Sequence, residues 1–337
     1  MTMIRPLITL LVALYWASPA MLAKAPVLKI TATSQTPTVK DHGIYRFAVC
    51  PNGSSIIVHS DGDLAVVSRS GESLLNREDW KEIAGASACT CDQTNRLYVA
   101  AMGMVHVYEL TAGNGIRRLQ SILTQGGPLR MLVTPDNQLY IVGLAKVGGR
   151  YVFLRRFSLP GGAYLGSPDI RLPLLLGTGF NLNQMVLNGS IVWLPLQREV
   201  AFIAANPLEL WRLDSAGRVL QVTRPQTSGF FNAEVQPRTG GSSHWDGYDW
   251  VRSAVALPDG RVLLQVRLAR QSKPLPGVSH LHAELLDPSL DSVQHYIPTD
   301  QIPPGWLAGG DAEGNIYFID LLASRRGVIV QTRLTSE

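Results

Sequence analysis

The sequence predicts an all-β protein, a six-bladed β-propeller with four-stranded antiparallel blades. Three observations predict it. A turn rich in Pro, Asn, Asp or Gly, followed by an apolar strand, recurs six times along 337 residues. A second strand–turn–strand signal follows most copies at a similar offset. The repeat distance is near that of one propeller blade, roughly 40–50 residues.

The chain opens on MTMIRPLITLLVALYWASPAMLA, with one early charge, Arg5, an apolar stretch from Leu7 to Ala17, then Ser18, Pro19, Ala20 and Ala23. That three-part pattern is expected of a secretory signal peptide over residues 1–23, with cleavage after Ala20 or after Ala23. The alternative, an uncleaved anchor, is disfavoured because the apolar run is shorter than the roughly 20 residues a span requires. No cysteine lies near the end of the segment, so a bacterial lipid anchor is not expected. The mature protein, 24–337, is expected to be one soluble domain, periplasmic or secreted, without a further membrane span, and monomeric.

The turn segments are CPNGSSIIV (50–58), CDQTNRLYV (91–99), TPDNQLYIV (134–142), VLNGSIVWLP (186–195), LPDGRVLLQV (257–266) and DAEGNIYFID (311–320). Their turn positions, read as Gly53, Thr94, Asn137, Gly189, Gly260 and Gly314, are spaced by 41, 43, 52, 71 and 54 residues. Apolar runs such as Phe47-Ala48-Val49 and Met131-Leu132-Val133 precede most of them, so each is read as a hairpin. Second hairpins follow in DLAVVSRSGESL (63–74), VHVYELTAGNGIRRL (105–119), VFLRRFSLPGGAYL (152–165), LELWRLDSAGRVLQV (208–222) and HAELLDPSLDSVQHY (282–296). Two hairpins make a four-stranded sheet, which covers both faces only by stacking on its neighbours around an axis. The sixth unit stops after a third strand, GVIVQTRL (327–334). VLKITAT (27–33) is expected to supply its fourth strand and close the ring. The 71-residue interval also admits a seventh blade, but 226–250 within it is polar and Gly/Ser-rich and reads better as a loop insertion.

Composition excludes other classes. Charged residues are 17 % and hydrophobic residues 46 %, which suits a folded core rather than disorder. The net charge of +4 is spread out, with only arginine pairs at 117–118, 155–156 and 325–326, so no basic stripe for nucleic acid exists. Cys50, Cys89 and Cys91 are disulfide candidates with the pairing open, and their odd number leaves one thiol over.

The units resemble six-bladed propellers of the NHL-like and TolB-like kind. DAEGNIYFID and TPDNQLYIV carry the likeness, which covers about 25–337. The resemblance implies a central channel lined by the first strand of each blade. It implies no single function, since such propellers host binding proteins, lyases and lactonases. The similar calcium-dependent lactonases hold their metal with a Glu, an Asn and an Asp on those strands. Counting eight residues back from each turn gives Tyr45, Ala86, Leu129, Asn181, Arg252 and Trp306, and a slip of one adds Arg130 and Val251. One oxygen ligand and no carboxylate do not make a hard-cation site. Lyase-type propellers use zinc-binding histidines. Here only His280 and His282 share a strand face, and no third partner accompanies them. No Gly-x-Ser-x-Gly elbow marks a nucleophile.

The insertion ends in TGGSSHWDGYDW (239–250), which gathers His244, Trp245, Asp246, Tyr248, Asp249 and Trp250. Such a loop either plugs the channel mouth or holds a ligand, as aromatic residues dominate interaction hot spots. The expected function is an exported, non-catalytic binding or scaffolding module without a cofactor. It would hold a protein, peptide or glycan through Tyr45, Arg130, Asn181, Arg252, Trp306 and this loop. The alternative is a calcium- or zinc-dependent lactonase or lyase.

Overall fold

A computed structural model describes residues 28–37, 45–59, 61–78, 80–111, 115–124, 126–170, 189–206, 208–226, 249–268, 280–320 and 328–336. Six four-stranded antiparallel sheets form a six-bladed propeller. Strand β1 is Leu28–Pro37. Blade one then holds β2 (Tyr45–Val49), β3 (Ser55–His59), β4 (Leu64–Val67) and β5 (Ser73–Arg77). Blade two holds β6 (Ala88–Cys91), β7 (Leu97–Ala101), β8 (Met104–Thr111) and β9 (Gly115–Leu123). Blade three holds β10 (Arg130–Val133), β11 (Gln138–Val147), β12 (Arg150–Ser158) and β13 (Tyr164–Gly166). Blade four holds β14 (Ser190–Leu194), β15 (Glu199–Ile203), β16 (Leu210–Leu213) and β17 (Val219–Thr223). Blade five holds β18 (Trp250–Ala256), β19 (Val262–Arg267), β20 (Leu281–Leu286) and β21 (Val293–Pro298). Blade six holds β22 (Trp306–Gly310), β23 (Ile316–Asp320) and β24 (Val328–Ser336), and β1 completes it.

The closure expected from VLKITAT is present. Strand β1 pairs antiparallel with β24 from Leu28 opposite Ser336 to Pro37 opposite Val328, with a register shift between Ala32 and Ser34. The ring is therefore fastened by backbone hydrogen bonds between two segments far apart in sequence. The first strands β2, β6, β10, β14, β18 and β22 touch one another in ring order and line the axis.

Each blade's second strand is a near-continuous apolar run because both of its faces are buried. Ile56 and Val58 of β3 pack towards blade two with Leu97 and Val99, while Ile57 packs towards blade six with Tyr317 and Ile329. Tyr98 and Ala100 of β7 meet Leu139 and Ile141 of β11, and Tyr140 and Val142 meet Val200 and Phe202 of β15. Ala201 and Ile203 meet Val262, Leu264 and Val266 of β19, and Leu263 meets Ile316 and Phe318 of β23. Each boundary between blades thus has its own apolar cluster. Every Val, Leu or Ile so buried contributes about 1.5–3 kcal/mol.

The recurrent turns share one geometry. In blade one the Cys50 N–H donates to Ser54 O and the Gly53 N–H donates to Cys50 O. The same pair of bonds closes 92–96, 134–138, 257–261 and 311–315. The fourth residue has a positive φ: Gly53 (82°), Asn95 (62°), Asn137 (59°), Gly260 (84°) and Gly314 (81°). This is a type I turn ended by a left-handed residue, where only Gly or Asn is comfortable. Blade two thus turns at Asn95, one residue after the Thr94 expected. Blade four is a larger correction. Residues 190–194 of VLNGSIVWLP form the innermost strand, not the second, and the turn lies at Pro195–Arg198 with Arg198 at φ 55°. That turn lacks the Gly or Asn that marks the others, so the Asn188-Gly189 pair drew the reading upstream.

Cys50 and Cys91 form a disulfide with Cα atoms 5.2 Å apart, tying blade one to blade two at the hairpin ends of their inner strands. Cys89 is the buried free thiol, and burial pushes its pKa up to about 12.

Two outcomes are expected. Deleting 28–37 leaves the edge of β24 unpaired and should lower the Tm by at least about 5 °C; an unchanged Tm would show that β1 does not hold the ring. Thiol titration should find none of the three cysteines reactive in the native protein, one after unfolding, and three after reduction. Replacing Cys50 and Cys91 together by Ala should cost about 2–4 kcal/mol. A reactive thiol in the native state would contradict the burial of Cys89.

Candidate functional site

Ladder register assigns each inner-strand residue to a level of the channel. From the hairpin upward, the fourth pair of blade one is Arg46 opposite Val58, and that of blade three is Arg130 opposite Val142. In blade six it is Trp306 opposite Ile319, and in blades two and four it is Ala88 and Ile191. In blade five it is Ser253, with Arg252 bulged out between Val251 and Ser253. One layer therefore carries an arginine from blades one, three and five and a tryptophan from blade six.

Local structure aims these side chains. Arg46 Nε donates to the backbone oxygen of Ser87 at 2.7 Å, which joins blade one to the start of blade two. Burial lowers the Arg46 pKa. Arg130 is accessible to water, and its Nη1 donates to Leu129 O at 2.9 Å. Enclosure by the surrounding strands lowers its pKa, and repulsion from Arg46 lowers it further, while Cys89 opposes both. Arg252 Cζ sits 4.2 Å from the ring centroid of Trp306 and 5.7 Å from that of Trp250. Burial, then repulsion from Arg267, brings its pKa down to about 10. Cation–π contact favours the pairing without neutralising the charge.

Trp306 is 39 % exposed, unusual for an indole in this fold, and Phe47 lies 6.5 Å away in a tilted arrangement. Two features fix it. Gly305 has φ +103°, and a Cβ there would stand 2.3 Å from Ile319 O, so no side chain fits. Gln265 of blade five, fully buried, donates through Nε2 to Gly305 O at 2.9 Å and accepts from the Leu307 N–H at 3.1 Å. The amide thus clamps the two residues that flank Trp306.

The inner strands YRFAV, ACTC, RMLV, SIVWL, WVRSAVA and WLAGG hold no carboxylate. Among the described residues no group of three His, Cys, Asp or Glu is placed to hold a metal. The layer where the lactonase resemblance would put oxygen ligands is cationic, so the donor set does not fit a hard cation. His282 is fully buried with its Nε2 2.6 Å from Glu284 Oε1, and His280 is exposed, so the two are not a ligand pair.

Several expected residues lie elsewhere. Asn181, His244, Trp245, Asp246 and Tyr248 are outside the described residues, as are the leader and 227–248. Tyr45 opens β2 opposite His59. Asp249 is buried, and its backbone oxygen accepts from Asn206 Nδ2 at 2.6 Å. Arg252 and Trp306 do come together, and Arg130 stands at the same ladder level on blade three. Arg46 was missed because a constant count back from the turns ignores the bulges of β18 and β22, which displace Arg252 and Trp306 by one residue relative to blades one and three. At the other end of the ring an open depression between blades one and six includes Asn52, Ser68 and Arg69, but Arg69 is already paired with Glu313.

Neither the protein-family profiles nor the curated proteins contain a match to this chain. Solved structures share its fold. A member of the DUF4221 family from Bacteroides vulgatus is 9 % identical, with TM-score 0.58, covering 93 % of this chain and all of that one. A Bacteroides fragilis protein named as exported is 11 % identical, with TM-score 0.60, covering 95 % and 98 %. A gluconolactonase from Xanthomonas campestris is 10 % identical, with TM-score 0.52, covering 90 % and 98 %. At these identities the likeness is one of fold: a six-bladed propeller.

Proposed function

We propose that this chain is an exported binding propeller that holds a protein, peptide or glycan at the channel mouth where the inner strands begin, without catalysing a reaction. The observation that carries the reading is the half-exposed Trp306 stacked against Arg252 and clamped by Gln265 on a layer free of carboxylates. An exposed, rigidly held indole has no packing role that the interior could not serve, and such residues anchor ligands. Export is supported by the leader-like residues 1–23, by the Cys50–Cys91 disulfide, which suits an oxidising compartment, and by the exported relative in fold. Among the described residues no helix is long and apolar enough to cross a membrane.

The test is to screen the mature protein on glycan and peptide arrays and to repeat it with Trp306→Ala. The substitution should weaken the captured ligand by about 30-fold, as loss of a hot-spot residue does, and Trp306→Phe should retain most of the binding. Equal binding by Trp306→Ala would move the site away from the channel mouth. Metal analysis of protein purified without added metal should find calcium and zinc well below one per chain. A stoichiometric metal would instead favour the lactonase or lyase reading.

A further inference from the structure

Three of the four most exposed large apolar side chains among the described residues stand on two adjacent blades: Met102, 75 % exposed, Tyr151, 66 %, and Leu123, 62 %. All three lie at the channel-mouth ends of blades two and three. Met102 occupies the turn between β7 and β8, and Leu123 ends β9 opposite Met104. Tyr151 pairs with Lys146 near the tip of the β11–β12 hairpin. That hairpin overreaches its blade. Strand β10 pairs with β11 only as far as Arg130 opposite Val142, whereas β11 and β12 continue together through Ala145 opposite Val152 to Val147 opposite Arg150.

The overhang is fastened sideways to blade two. Gly126 bridges Ala145, and the Thr124 N–H and Oγ1 both donate to Gly103 O, at 3.1 and 2.8 Å. The fit is close: a Cβ on Gly126 would stand 2.8 Å from Leu144 O, and one on Gly143 would stand 2.3 Å from Gly127 O. Arg155, fully buried, spans the joint, its Nη1 donating to Thr124 O and its Nη2 to Gly143 O at 3.2 Å. Blades two and three therefore present one continuous ridge with apolar tips. The ridge also carries charge. Lys146 and Arg150 flank Tyr151, both are exposed, and neither has an acidic partner among the described residues. Exposed apolar side chains gathered in one place, with charge at their border, mark an interaction surface.

We propose that this ridge docks an acidic segment of a protein partner, whose apolar side chains cover Met102, Leu123 and Tyr151 while its carboxylates meet Lys146 and Arg150. Charge complementarity selects the acidic segment. An anionic bilayer is recognised by clusters of roughly four to eight basic side chains, and the ridge offers two. A second copy of this chain, with its net charge of +4, is the wrong sign. Blade three stands opposite blade six in the ring, so the surface is separate from Trp306 and does not rest on the channel-mouth reading.

The test is selection of a random dodecapeptide library on the mature protein, with the selected peptides then measured by fluorescence anisotropy. They should be rich in Asp, Glu and apolar residues. Binding should weaken about 10-fold or more in Tyr151→Ser, and likewise when Met102→Ser and Leu123→Ser are combined, as truncated hot-spot residues behave. Lys146→Glu with Arg150→Glu should abolish it, and raised salt should weaken it. Trp306→Ala should leave it unchanged. The substituted ridge positions are all exposed, so these variants should keep the wild-type Tm. Should a serine variant not fold, the charge reversal decides alone. Failure to select any peptide, selection of basic or uncharged peptides, or binding that ignores the charge reversal would overturn the proposal. Vesicles of phosphatidylglycerol bound through Lys146 and Arg150 in place of acidic peptides would give the ridge to a membrane, and a dimer abolished by Tyr151→Ser would give it to a second copy; either overturns it. If the selected peptides depend on Trp306 and not on the ridge, the channel-mouth reading stands and the ridge falls. If they bind through the ridge while no array ligand depends on Trp306, the reverse holds.

Discussion

Burial of each second strand on both faces is the constraint from which the rest of this structure follows. Ile56 and Val58 look one way around the ring and Ile57 looks the other. The same division recurs at β7, β11, β15, β19 and β23. A sheet with two apolar faces cannot stand alone, so the first blade commits the chain to a ring and the ring commits it to a closing strand. Pairing of β1 with β24 meets that demand by covering the last open edge.

Assigning the core to the second strands leaves the inner strands comparatively unconstrained. They are short, they face a channel, and they carry residues that a packed sheet would reject. Arg46, Arg130, Arg252 and Trp306 all sit there, and the second strands carry polar or charged residues only at Gln265, at Lys146 near the far end of β11, and at terminal positions. Gln265 is informative because it is fully buried in an otherwise apolar run. A buried amide is tolerated only when both ends are bonded, and both ends of this one go to the backbone on either side of Trp306. The polar intrusion in the core is therefore tied to the layer at the channel.

Much of the fold was legible because it rests on local rules. A left-handed fourth residue at Gly53, Asn137, Gly260 and Gly314 announces the hairpins, and an apolar run on one side announces double burial. Blade four was misread where those rules lapse: Arg198 fills the left-handed position, and Asn188-Gly189 imitates a turn. The site was half legible. Arg130, Arg252 and Trp306 were within one residue of the right count, but the bulges at β18 and β22 are tertiary features that no turn motif signals. Each shifts one strand by a residue relative to its neighbours, which was enough to hide Arg46. The pairing of Cys50 with Cys91 was likewise beyond a count of cysteines, since it depends on two blades meeting at one end.

The alternation of arginines around the ring has a physical logic of its own. Charges on every blade of one layer would crowd the axis, and repulsion grows steeply where walls exclude water. Placing them on blades one, three and five, with Ala88 and Ile191 between, keeps a cationic channel at the lowest density that still faces it from three sides. Arg46 donates to the backbone oxygen of Ser87 and Arg252 stacks on Trp306, so an uncharged group helps to orient each of these two guanidinium groups. The carboxylates that pair with arginines elsewhere, Glu199, Asp92 and Glu109, come from second and third strands and from a turn, while the inner strands themselves carry none.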